Sequence, residues 1–102
     1  MDSSEEKVTA TREDALKHIR AVEKVHRAGN PIKDPVAYLT QKVAELNERL
    51  ERELALDPDG DEMKRIREGE RGDFADWTNE VYFRWFRRVI AYQEAYLAAL
   101  SS

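Results

Sequence analysis

The stretch VYFRWFRRVIAYQEAYLAAL, residues 81–100, sets the hardest condition on any fold this chain can adopt. It places six aromatic rings and three arginines in one segment, and the region 74–100 holds eight of the chain's nine aromatic residues. Read as a helix over 74–100 capped by Asp73, it can be laid out at about 100° per residue. Phe74, Trp77, Val81, Tyr82, Phe83, Trp85, Phe86, Val89, Ile90, Tyr92, Tyr96, Leu97 and Leu100 then cover an arc of about 240°. Arg84 and Arg87 fall in the remaining sector, with Arg88 about 20° past its edge, beside Glu80, Ala91, Glu94 and Ala98. A helix with so broad an apolar face must be covered from more than one side.

The rest of the chain offers narrower surfaces. From Thr11, with Asp14 three residues on as a short capping-box acid, Ala15, Ile19, Val22 and Val25 repeat at helical spacing up to Gly29. This predicts a first helix over about 12–28. The turn GNPIKDP follows, in which Gly29 and Asn30 tolerate positive φ and Asp34 caps a helix with Pro35 in its first position. So short a connection predicts a helical hairpin of antiparallel neighbours. The second helix, over 35–56, carries a seam of Val36, Leu39, Val43, Leu46, Leu50 and Leu54 within about 80°. Elsewhere it is charged, with Glu45–Arg49 and Glu48–Arg52 at i,i+4 and its glutamates turned outward. The breaker-rich run 57–73 leaves room for a short helix over 61–68 presenting Met63 and Ile66, and its length marks it as mobile or functional.

Composition narrows the class. At 102 residues the chain makes one domain with a modest core, here a polar tail over 1–10 and a helical domain over 11–102. Seventeen basic residues against 21 acidic give a net charge of -4, which offers no general attraction to nucleic acid or anionic lipid. Cysteine is absent, so disulfides, thiol catalysis and zinc–thiolate sites are excluded. The start, MDSSEEKVTATRED, lacks the apolar core of a signal peptide, and no run of about eighteen apolar residues could span a bilayer. These observations predict a soluble cytoplasmic protein of all-α class: a hairpin plus a long aromatic C-terminal helix, forming a small bundle.

A hairpin with one thin seam cannot cover an arc of about 240°, so the sequence predicts that a second surface does. The simplest is a second copy meeting the first about a two-fold axis, as a homodimer or higher oligomer; another helical protein is the other candidate. Phe74, Trp77, Val81, Trp85, Val89, Tyr92 and Tyr96 are the expected anchors of that interface. The competing arrangement makes the aromatic helix the centre of a monomer, wrapped by the first two helices and the short one. Nucleic-acid stacking needs rings and arginines on one exposed face, whereas here they lie on opposite sides. A membrane-surface helix needs a polar face rich in Lys and Arg with little acid, which the glutamates spoil.

Candidate chemistry is sparse. Asp57, Asp59, Asp61 and Glu68 stand at positions 1, 3, 5 and 12 of a calcium-loop count, but Glu62 replaces the required glycine and Gly69 cuts the exit helix. An acidic turn capping a short helix accounts for the same letters. Glu23 and His26 form a lone Glu-x-x-His, half of a di-metal motif that needs inward carboxylates on partner helices. Serine occurs only at positions 3, 4, 101 and 102, too near the ends for a nucleophile. Arg84, Arg87 and Arg88 could instead clamp the carboxylates of an anionic metabolite. No cofactor is implied.

The run Gly29-Asn30-Pro31-Ile32-Lys33-Asp34-Pro35, with Phe86-Arg87-Arg88-Val89-Ile90 and Gln93, resembles the helical chorismate mutase family over about a fifth of the chain. The resemblance implies an intertwined all-α dimer with a similar inter-helix turn. That family's active site uses an arginine-bearing long first helix and an Arg-Glu pair just after the turn. Val36, Ala37 and Tyr38 stand there in this sequence and the first helix is short, so the activity does not carry over. The expected function is a non-enzymatic interaction or assembly module, an adaptor or small regulator that self-associates through its last helix. The alternatives are a small bundle enzyme or binder for an anionic metabolite, and a weak nucleic-acid binder.

Overall fold

The computed structural model describes residues 8–70 and 77–101, the side chains of 69 and 70 excepted. Four helices and no strand occur among them: α1 (Arg12–His26), α2 (Pro35–Leu54), α3 (Asp61–Glu70) and α4 (Asn79–Ser101). The fold is a small all-α bundle.

α1 begins as its sequence dictates. Asp14 N–H donates to Thr11 Oγ1 at 3.1 Å while Thr11 N–H donates to Asp14 Oδ2 at 3.0 Å. Aspartate, though short, completes the reciprocal box. The helix stops at His26, two residues before the expected end, because Ala28 enters the left-handed region at φ 52° and Gly29 follows at 87°. Two side chains then hold the turn. Glu23 Oε2 accepts from Ile32 N–H at 2.7 Å, and the Arg27 guanidinium donates to the carbonyls of Asn30 and Pro31. Asp34 caps α2 by accepting from Ala37 N–H at 3.0 Å, with Pro35 in the first turn.

The expected hairpin packing is replaced by a different arrangement. α1 and α2 barely touch each other; each leans on α4, α2 more extensively than α1. The core cluster is Leu50 of α2, Met63 of α3, and Tyr82, Phe86 and Ile90 of α4. Leu46, Leu56, Ile66, Trp77, Phe83 and Trp85 pack around it. The run after α2 is therefore structural: Met63 is 1% exposed, and α3 supplies cover that the hairpin seam alone lacks. Asp57 forms the entry turn by accepting from Asp59 N–H at 3.0 Å. Asn79 Nδ2 donates to Pro58 O at 2.7 Å and Arg67 Nη1 to Trp77 O at 2.9 Å, tying the start of α4 to both ends of this connection.

α4 starts later than expected. Thr78 is its cap, accepting from Val81 N–H at 3.2 Å, so Trp77 precedes the helix. Asp73, the expected cap, lies outside the described residues. The molecule measures 41 × 38 × 21 Å, a slab about two helix diameters thick. Its radius of gyration of 15.3 Å exceeds the value of about 13 Å for a compact chain of this length. No helix among the described residues is long and apolar enough to cross a membrane.

Candidate functional site

α4 divides its aromatic arc among three environments. The first is closed. Tyr82, Phe86 and Ile90 recur every fourth residue on the side facing α2 and are 2%, 2% and 5% exposed. Tyr82 makes edge contacts with Phe83 and Phe86, and its hydroxyl donates to Glu53 Oε1 at 2.7 Å. Arg49 Nε donates to Glu53 Oε2 at 2.7 Å, and its guanidinium lies 5.3 Å from the Phe86 ring centre. Burial and the adjacent carboxylate of Glu53 push the Tyr82 phenol far above its ordinary pKa. Glu53 itself is buried, against the expectation that α2 keeps its glutamates outside. Glu53 lies about 20° beyond the edge of the leucine seam, next to Leu46. The buried face of α2 is rotated toward it, which leaves Val36 and Leu54 on the opposite edge exposed. A tyrosine inside an apolar arc signals this in advance, since a buried phenol seeks an acceptor on the facing helix.

The second environment is half-open. Val81 is 37% exposed, while Trp85 and Val89 are partly buried. Trp85 meets Trp77 edge-on at 6.3 Å and also packs beside Tyr82 and Phe86. Phe74, expected to extend this row, lies outside the described residues. The arginines flank it separately: Arg84 pairs with Glu80 at 3.2 Å, Arg88, expected opposite the rings, instead stands 5.5 Å from the Tyr92 ring centre, and Arg87 is exposed.

The third environment lies at the far end of α4, where α1 crosses it. His18 of α1 stacks on Tyr96 with ring centres 4.5 Å apart and planes 18° from parallel, and Tyr92 tilts against Tyr96 at 6.2 Å. Thr9, Ala10, Asp14, Lys17, His18, Tyr92 and Tyr96 line a cleft of about 410 Å³. Burial lowers the pKa of His18, offset in part by hydrogen bonding to the neighbouring Gln93 side chain. Burial, then the charges of Tyr92 and Asp14, raise that of Tyr96. Hydrogen bonds from Thr11 chiefly lower that of Asp14. Thus Tyr92 and Tyr96, grouped by sequence with Trp77, Val81, Trp85 and Val89, belong to a separate surface. Nothing in the periodicity of α4 alone distinguishes them; the partner helix does.

The proposed metal ligands do not assemble. Asp61 opens α3 and Glu68 sits about two turns further along it, while Asp57 is spent on its turn. Glu23 caps the inter-helix turn and His26 is exposed. Among the described residues no group of three or more His, Asp or Glu side chains could hold a metal ion. No known protein family, curated protein or solved structure matches the chain.

Proposed function

We propose that the chain is a non-enzymatic helical interaction module, an adaptor or small regulator of the cytoplasm, that pairs with a second copy of itself through the Val81–Trp85–Val89 row of α4. The observation that carries this reading is the half-open state of that row on a thin slab whose radius of gyration is 15.3 Å. A two-fold partner laid against it would bury Val81 and the exposed edges of Trp77 and Trp85 together. Arg84 and Glu80, at the margin, form a polar rim.

Val81→Arg is the decisive substitution, because a residue 37% exposed tolerates a charge in the monomer but not in a closed interface. Sedimentation equilibrium should give twice the 11.9 kDa chain mass for the wild type and the single mass for the variant, with unchanged helical circular dichroism. A wild-type protein that stays monomeric at several hundred micromolar refutes self-association. Trp85→Ala should dissociate or unfold the protein, whereas Arg87→Ala should leave both mass and folding intact.

A further inference from the structure

We infer that the cleft between α1 and the end of α4 binds a small planar aromatic carboxylate. At about 410 Å³ it falls within the range of small-molecule sites, large enough for a one- or two-ring ligand. One wall is a series of rings, His18 on Tyr96 and Tyr96 beside Tyr92. Tyr92 is 37% exposed, so ring surface is left for a flat guest to stack on. Thr9 and the phenol of Tyr96 line the same space and supply hydroxyls.

The sign of the ligand follows from which charges are already engaged. Asp14 is committed to the helix cap through Thr11. Lys17, one turn further along the same face, makes no ion pair among the described residues and lines the cleft. Arg88 adds a second positive charge against Tyr92. Asp14 keeps its negative charge and Lys17 acts on it, so Lys17 and Arg88 together leave one net positive charge beside the rings, which favours a guest with a single negative charge. That guest uses none of the Val81–Trp85–Val89 row, so the inference stands apart from self-association.

Three probes that share an indole and carry a short side chain of negative, neutral or positive charge test this on the full chain: indole-3-acetate, tryptophol and tryptamine. In an NMR titration of isotope-labelled protein, indole-3-acetate should give saturable shifts at Thr9, Lys17, His18, Tyr92 and Tyr96. A Kd of about 1 mM or tighter corresponds to ordinary ligand efficiency for its size. Tryptophol should bind more weakly and tryptamine about tenfold more weakly than the acid. Lys17→Gln should shrink the acid's advantage by about fivefold, and Tyr92→Ala should weaken all three by about tenfold. Both side chains are exposed enough that folding survives their loss. Absence of saturable shifts at 10 mM, shifts scattered away from the cleft, equal binding of tryptamine and the acid, or indifference to Lys17→Gln would each overturn the proposal.

Discussion

Both ends of α4 carry rings, Tyr82, Phe83, Trp85 and Phe86 toward the start and Tyr92 and Tyr96 toward the end, and they differ in how those rings are closed. Toward its start, Tyr82 and Phe86 are nearly fully buried beneath α2 and α3, with the phenol anchored on Glu53. Toward its end, Tyr92 and Tyr96 face α1 and border an open cleft. The difference lies in the partners. α2 brings Leu46 and Leu50 along its seam and α3 adds Met63 and Ile66, so two helices converge on one face. α1 is 15 residues long and buries only Ala15 and Ile19, too small a surface to seal large rings. An aromatic helix thus takes its burial from the width of what faces it, not from its own composition.

The largest blow to this contrast comes from Phe86→Ala. Removing a ring 2% exposed should cost about 3–5 kcal/mol in urea-induced unfolding. Tyr96→Ala, at the open end, should cost under about 2 kcal/mol because part of its ring is already in water. Equal losses would show that the ends are closed alike. Single hydroxyls sharpen the point. Tyr82→Phe deprives the buried Glu53 carboxylate of a donor and should cost about 1–3 kcal/mol. Tyr96→Phe should stay within about 0.5 kcal/mol in the same measurement.

Local chemistry made α1, α2 and α3 readable from the letters alone. The Thr11–Asp14 box, the Gly29 turn and the Asp34-Pro35 start each act within a few residues, and the helices begin where those signals stand. What the letters concealed was pairing between helices. Glu53 looks like one more acid on a charged face until Tyr82 faces it, and Thr78 caps α4 although Asp73 offers the stronger signal. The hairpin inference failed because loop length limits how far apart two helices can sit without making them touch, and α4 is the better partner for both. Of the candidate site, the breadth of the apolar arc was legible. Its division into a sealed face, a half-open row and a cleft was not, because His18 reaches Tyr96 only through the tertiary fold.

The smallest effect separates the two ends by pH. Burial holds the His18 imidazole below its ordinary pKa, so as pH falls the unfolded chain takes up this proton before the folded one does. The folded state should therefore lose stability from about pH 7 downward, through the native pKa of His18. Of the groups around the ring, Asp14 is held ionised by Thr11 and stays charged through this window, and Tyr96 is pushed upward, away from it. Lys17 lines the same cleft, and Gln93 carries no charge. His18→Phe keeps a ring against Tyr96 and removes the proton, so its unfolding free energy should fall less than wild type between pH 7 and 5. A His18→Phe curve that overlays the wild type would mean that the open end of α4 exerts no hold on this imidazole. At the sealed end Tyr82, pushed far upward by burial and Glu53, gives no response in the same range.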